Sequence, residues 1–226
     1  MKISIGGFFS KRFEEESNKI LLEMPHFFSK KVMKEYVEQL VGIGLEEYIV
    51  YAETHPNLKS ITTKDITQLS SIADCTIDMC SVWNEENDGK TLIQIAEALH
   101  GDRRYKDNHV ALTKYGENQV KTACQLGLTV LRDNLWYLSS VGTIFPSLTD
   151  DVKYKFFSIC MLRDPFYSRV ICNMYRRETN LLDYMSILSG STQKRRASSC
   201  MRLINIFVQQ CKAESINIHP ITVKFN

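Results

Sequence analysis

Residues 91–140 read TLIQIAEALHGDRRYKDNHVALTKYGENQVKTACQLGLTVLRDNLWYLSS, and this stretch decides the fold. Apolar residues recur at helical spacing over Thr91–Leu99, which predicts a short amphipathic helix. A longer helix is expected to end in Gln125-Leu126-Gly127-Leu128, because a glycine there is typical of a helix C-terminus. The β-prone runs on either side of Arg132-Asp133-Asn134 then predict a tight hairpin. The expected order is short helix, turn, longer helix and hairpin.

This order of elements, over about residues 65 to 143, resembles the winged-helix family of DNA-binding proteins. In that family a Leu-Gly-Leu sequence, here Leu126 to Leu128, follows the end of the recognition helix. The hairpin that comes next is the wing. A helix from about Asp65 to Trp83 would open the unit. The loop from Gly101 to His109 departs from the family's pattern, because it is longer than the usual turn. The resemblance implies that this unit contacts duplex DNA.

A second helix-turn-helix segment is indicated by residues 181–199, which read LLDYMSILSGSTQKRRASS. Ser191 or Thr192 can cap a helix that continues to about Lys212, and the N–H groups at a helix start favour a phosphate. The segment resembles helix-turn-helix motifs in which Ser-Thr opens the recognition helix and a basic run follows. The resemblance implies a second unit that contacts DNA.

The clustering of charge is more informative than the formal net charge, which is only +2. No acidic residue occurs between Asp183 and Glu214, whereas the cations Lys194, Arg195, Arg196 and Arg202 do. This local excess favours binding to phosphate groups. A solvated helix face is the alternative interpretation of the same run. Basic residues near a helix N-terminus also oppose the helix dipole, which favours a bound anion or partner.

Three parts are expected along the 226-residue chain: an N-terminal helical region over 1–60, a first winged-helix-like unit over 61–148, and a second helix-turn-helix or winged-helix-like unit over 149–226. A short strand is expected at Ile3–Phe9 and another within Ile216–Phe225. Further helices are expected at 29–53 with a weak point at Gly42 and Gly44, at 152–162, at 166–177 and at 180–188. The predicted fold class is mainly α, with tandem winged-helix or helix-turn-helix units, small β-hairpin wings and the N-terminal helical region.

The composition places the chain among ordinary globular proteins, with 44% hydrophobic and 24% charged residues. No window reads as a signal peptide or a membrane span, so the expected location is the cytoplasm. The seven cysteines are odd in number and irregularly spaced, and no C-x-x-C pair occurs. They are therefore expected to be buried free thiols in a reducing compartment, neither a disulfide framework nor a zinc site.

Catalytic and cofactor-binding patterns are weak. The five histidines are isolated, and no glycine-rich phosphate loop is present. Asp150-Asp151-Val152-Lys153 and the stretch Glu14 to Lys19 have the residue types of a metal-dependent nuclease, but a charged helix start explains each better. No catalytic residue, metal or cofactor is therefore predicted.

The sequence thus predicts a non-catalytic protein that binds double-stranded DNA. It would act in transcription regulation, or as the DNA-binding subunit of a restriction or antiviral defence system that recruits a nuclease, helicase or ATPase partner; a homodimer is compatible with this. The expected DNA contacts from the second unit are Thr192, Gln193, Lys194, Arg195, Arg196 and Arg202. Those from the first unit are Arg103, Arg104, Lys106, Lys114, Asn118, Gln119, Lys121 and, at the hairpin tip, Arg132. Gln193, Asn118 and Gln119 are the candidates for reading bases.

Two other functions stay open at this stage. Tandem winged-helix subunits of condensin-like chromosome complexes use the same fold to bind proteins, and the near-neutral net charge and the unassigned first 60 residues suit that function. A metal-dependent nuclease subunit is the third interpretation. A continuous basic groove would favour DNA, whereas an exposed apolar face would favour a protein partner.

Overall fold

The computed structural model describes residues 4–9, 30–84, 87–101, 105 and 107–224. The fold is mainly helical with a small antiparallel two-stranded sheet, which confirms the predicted mainly α class with a small hairpin. The helices are α1 (Ile5–Phe9), α2 (Lys30–Gly42), α3 (Leu45–Thr54), α4 (Ile77–Cys80), α5 (Leu92–Ala98), α6 (His109–Gln125), α7 (Ser140–Ile144), α8 (Asp150–Arg163), α9 (Pro165–Arg176) and α10 (Gly190–Ala213). The strands are β1 (Thr129–Arg132), β2 (Leu135–Leu138), β3 (Thr179–Asn180) and β4 (Ile221–Thr222), and short 3-10 helices cover Ala73–Cys75, Phe145–Ser147 and Leu181–Tyr184.

The chain divides into two compact units. The first contains the described parts of residues 1–15, 35–67 and 149–226, and the second contains those of 16–34 and 68–148. This grouping differs from the expected three-part division, because the expected N-terminal region of residues 1–60 does not form a unit of its own. Residues 35–67 pack with the C-terminal part of the chain, because α3 contacts α8, α9 and α10.

The core of the first unit is built from the inner faces of α3, α8, α9 and α10. Tyr48, Phe166 and Phe207 are fully buried there. Arg163-Asp164-Pro165 lies between the two helices expected at 152–162 and 166–177, and the chain breaks there between α8 and α9. The Asp164 carboxylate accepts hydrogen bonds from the backbone N–H groups of Phe166 and Tyr167, at 2.9 and 3.1 Å. Asp164 thus caps α9, and proline at the first helical position fits this start.

The second unit contains the short helix, the longer helix and the hairpin that the sequence predicts. Thr91 begins α5 with a capping box: its hydroxyl accepts from the Gln94 N–H, and the Gln94 side chain accepts from the Thr91 N–H at 2.8 Å. Helix α5 packs directly on α6. Gly116 allows this close approach, because a Cβ there would lie 2.2 Å from the Leu92 carbonyl oxygen.

The hairpin connects β1 and β2 through a two-residue turn. Asp133 and Asn134 have φ angles of 50° and 64°, which are the left-handed conformations of a type I′ turn. Lys90 forms an antiparallel bridge with Trp136, with N–H···O distances of 2.9 Å in both directions. Lys90, two residues before the start of α5, therefore pairs with the hairpin at its β2 edge.

Two predicted elements near the start of the chain are wrong. Ile5–Phe9 is a helix and not a strand; Phe8 is buried with its ring 5.7 Å from that of Tyr48. No continuous helix runs from Asp65 to Trp83. The Asp65 carboxylate accepts from both the N–H and the hydroxyl of Thr62, at 2.7 Å each, so this segment folds into a turn. Regular structure resumes only at the 3-10 helix and at α4.

Three predictions near the C-terminus are correct only in part. The helix expected at 180–188 is only the 3-10 helix over Leu181–Tyr184, which Asn180 caps, and it does not continue to Leu188. In the terminal segment, β4 alone is a strand, and it pairs in parallel with β3. The helix α10 begins at Gly190 with Ser189 as its N-cap residue, which corrects the expected cap at Ser191 or Thr192.

None of the helices in the described part of the chain combines the length and the apolar character that a membrane span requires.

All seven cysteines lie in the described residues, and none forms a disulfide. Five are buried, Cys172 is half-buried and Cys124 is exposed on α6. Burial raises the pKa of the Cys172 thiol to about 11, and the pKa of the Cys200 and Cys211 thiols to about 12. The expectation of buried thiols is therefore correct for five of the seven.

The native protein is expected to show one rapidly reacting thiol at about pH 8, because only Cys124 is exposed and the thiolate is the reactive form. A colorimetric disulfide reagent measures this directly. Cys124→Ser should remove the rapid phase and leave the slow phases unchanged. A rapid phase that survives in this variant would show that another cysteine is accessible.

Candidate nucleic-acid interface

The basic run of the sequence lies on helix α10, which is 24 residues long. Every exposed residue between Gly190 and Ala213 falls on one side of this helix, within a stripe about 100° wide at 3.6 residues per turn. We call this stripe the basic face of α10. Its members are Ser191, Lys194, Arg195, Ser198, Arg202, Asn205, Gln209 and Lys212.

The basic face carries cations and hydrogen-bonding groups but no carboxylate. Four of its eight residues are lysine or arginine, and the others are serine, asparagine and glutamine. It is roughly 32 Å long, at 1.5 Å per residue from Ser191 to Lys212. Lys194 and Arg195 lie near the positive end of the helix dipole, where a bound anion would offset their mutual repulsion. Chemically, the face suits a row of phosphate groups.

Arg196 does not belong to the basic face, although it lies within the same run of sequence. One of its terminal nitrogens, Nη1, donates to the carbonyl oxygens of Thr63 and Ile66, the latter at 2.8 Å. Burial, followed by the charge of Arg195, lowers the pKa of the Arg196 guanidinium. Arg196 therefore holds the turn at residues 63–66 against α10, and its predicted role as a phosphate contact conflicts with this placement.

Arg196→Met is expected to lower the free energy of unfolding by about 2 kcal/mol, because two carbonyl groups lose a charged donor. The salt dependence of DNA binding should not change. Urea denaturation followed by circular dichroism measures the first quantity, and fluorescence anisotropy measures the second. If the variant kept full stability and lost affinity, Arg196 would belong to the binding surface after all.

Thr192 and Gln193 contribute to the turn that precedes α10. The Gln193 side chain donates to the Met185 carbonyl oxygen at 3.1 Å, and the Ser189 hydroxyl donates to that of Thr192 at 3.0 Å. Both residues are half-buried. These contacts orient the first turn of α10. The Gln193 side-chain amide, which was predicted to read bases, is engaged with the Met185 carbonyl oxygen.

Helix α6 presents a mixed face in the second unit. Lys114 and Lys121 both form ion pairs with Glu117, which lies one turn from each of them. Hydrogen bonds from the two lysines lower the pKa of the Glu117 carboxyl, so it is ionised at neutral pH. The three side chains together carry a charge of only +1. This pattern was missed because the sequence argument considered the cations without the carboxylate between them.

The remaining predicted contacts of the second unit lie in different environments. Asn118 is half-buried on α6. Gln119 is only 1% exposed, and its amide nitrogen is 3.5 Å from the Ser70 hydroxyl, so its predicted role in reading bases conflicts with its burial. Arg132 is exposed beside the hairpin turn, with its Nε 3.7 Å from a carboxylate oxygen of Asp133. Arg103, Arg104 and Lys106 lie outside the described residues.

Of the carboxylates considered for a nuclease site, those of Asp150 and Asp151 form local ion pairs, and the stretch Glu14 to Lys19 lies outside the described residues. Lys153 lies 3.2 Å from Asp150, and Lys155 lies 3.7 Å from Asp151, both within the first turns of α8. These are the charges of a helix start, as the sequence indicated. Within the described residues, no group of three or more His, Cys, Asp or Glu side chains is arranged to hold a metal ion.

The chain matches no family model, no curated protein and no solved structure.

Proposed function

We propose that the protein binds duplex DNA without cleaving it, and that the basic face of α10 is the main contact. The observation that carries this proposal is that the exposed side of α10 holds four cations and no carboxylate over six turns. Phosphate contacts from such a face give affinity that depends on salt and little on base sequence. Its serine, asparagine and glutamine side chains supply hydrogen-bonding groups for the sugar-phosphate backbone or for base edges.

The second unit supports the same function through its order of elements. We propose that α5, α6 and the β1–β2 hairpin form a winged-helix unit, with α6 as its recognition helix. The Lys90–Trp136 bridge favours this, because it pairs the segment ahead of α5 with β2. Lys114, Lys121 and Arg132 would contact phosphates, and the Glu117 carboxylate would accept a hydrogen bond from a cytosine amino group. As a binding subunit, the protein would regulate transcription or recruit a nuclease, helicase or ATPase.

Fluorescence anisotropy with a random duplex of about 30 base pairs tests the proposal, at about 50 and 200 mM salt. Four neutralised phosphates predict that affinity falls on the order of a hundredfold between these concentrations. A single-stranded oligonucleotide of the same length is the comparison. Absence of binding to the duplex at the lower salt would reject the proposal.

Binding to a protein partner is the second candidate, and the charge of the second unit favours it. Residues 68–148 contain 7 basic and 10 acidic residues, so this stretch is net acidic. Val110 on α6 and Leu131 on β1 are 81% and 52% exposed. Large exposed apolar side chains are typical of protein contacts when they form a patch. A pull-down in which Val110→Ser and Leu131→Ser lose a partner, with DNA binding unchanged, would support this second role.

A further inference from the structure

A pocket of about 380 Å³ lies in the first unit, between the end of α3 and one side of α9. Its volume is within the range of small-molecule sites. Ala52 and Pro56 give it an apolar wall, and Tyr184 lines it as well. Two arginines, Arg169 and Arg176, also line it.

The two arginines differ in what balances their charge. The Nε of Arg176 donates to a carboxylate oxygen of Glu53 at 2.6 Å, so this pair is neutral as a whole. Arg169 instead donates through Nη2 to two backbone carbonyl oxygens, those of Asn57 at 3.2 Å and Lys59 at 2.6 Å. Carbonyl groups orient a guanidinium but carry no net charge. Within the described part of the chain, no carboxylate therefore balances the charge of Arg169, and its carbonyl contacts hold it in place at the pocket.

The other polar side chains of the pocket are held by contacts within the fold. The Asn57 amide donates to the Arg163 carbonyl oxygen at 3.1 Å, and the Asn173 amide donates to the Thr179 hydroxyl at 2.9 Å. The walls are thus fixed before any ligand binds, which reduces the entropy lost on binding.

We propose that this pocket binds a small organic anion, whose carboxylate or phosphate group pairs with Arg169 and whose apolar part lies against Ala52 and Pro56. Because Nη2 already donates to two carbonyl oxygens, either kind of anion would accept charge-assisted hydrogen bonds from the N–H groups of Nε and Nη1. The site is separate from the basic face of α10, and the proposal does not depend on DNA binding.

Protection of the Cys172 thiol tests the proposal, because this half-buried cysteine also lines the pocket. The measurement is the rate at which iodoacetamide alkylates Cys172 in the Cys124→Ser protein, followed by mass spectrometry of the peptide. The probes are benzoate, phenyl phosphate and their neutral counterpart benzamide, at constant ionic strength. Benzoate or phenyl phosphate is expected to slow alkylation about tenfold at about ten times its Kd, and comparison of the two distinguishes carboxylate from phosphate. Benzamide should leave the rate unchanged.

Arg169→Gln should abolish this protection, whereas Arg132→Gln, which removes the same charge from the second unit, should not. Circular dichroism establishes that each variant is folded. If Arg169→Gln does not fold, the comparison of benzoate with benzamide on the unaltered pocket still decides the question. Equal protection by benzamide would overturn the proposal. So would the absence of protection by both anions at about 20 mM, because a Kd near millimolar is expected for ligands of this size.

Discussion

Replacing Gly116 by alanine is expected to lower the free energy of unfolding by about 3 kcal/mol, at the upper end of typical overpacking effects. The added Cβ would lie 2.2 Å from the Leu92 carbonyl oxygen and 3.1 Å from the Cβ of Ala96. The first contact is to backbone, which cannot rotate away as a side chain can. Helix α5 would have to move away from α6, and the packing of the fully buried Ala96 and Ile95 would be lost with it.

Urea denaturation followed by circular dichroism measures the change, and Gly42→Ala is the matched control. Gly42 is also helical, and a Cβ there would meet nothing within 4 Å. This control is expected to be neutral or to stabilise by about 0.5–1 kcal/mol, because alanine has less conformational freedom in the unfolded chain. Equal stability of Gly116→Ala and the native protein would contradict the close packing of α5 on α6.

The elements that sequence predicted well are those whose signals are local. The hairpin follows from two β-prone runs around a turn whose residues, Asp133 and Asn134, tolerate positive φ. Helix α6 follows from its apolar spacing and from Gly127 after its end. The prediction of a helix after Asp65 was wrong because the structure of this segment depends on a residue far away in the sequence. Arg196 holds the carbonyl groups of Thr63 and Ile66, and no pattern near residue 65 indicates that contact.

In the candidate site, too, local sequence signals identified some residues correctly and missed contacts with distant residues. Local composition identified Lys194, Arg195 and Arg202, but it also included Arg196, which faces the fold. The additional members of the basic face follow the helical period of these cations, so extending the period to the end of α10 would have found them. They are Ser198, Asn205, Gln209 and Lys212. The helical period could also have excluded Gln119 from the predicted DNA contacts, because Gln119 lies on the same side of α6 as the buried Leu112 and Tyr115.

The triple variant Lys194→Gln, Arg195→Gln, Arg202→Gln is expected to weaken duplex binding on the order of a thousandfold at about 50 mM salt. Each phosphate contact contributes about 0.9 to the slope of log affinity against log salt. Removing three of four contacts should therefore reduce this slope from about 3.6 to about 0.9. Glutamine keeps hydrogen-bonding capacity and helix propensity, so the change isolates the charge. The three side chains are exposed, and the variant should unfold at nearly the same urea concentration as the native protein.

The matched control removes three exposed lysines that lie off the basic face: Lys30→Gln, Lys31→Gln, Lys224→Gln. Both variants change the net charge by the same amount, so a long-range effect of charge would weaken both equally. We expect the control to bind within about threefold of the native protein and to keep its salt dependence, since none of its three lysines belongs to the basic face. Equal losses in the two variants would mean that the attraction is nonspecific. An unchanged affinity in the α10 variant would place the DNA contact elsewhere, and the face of α6 with Lys114 and Lys121 would become the next surface to alter.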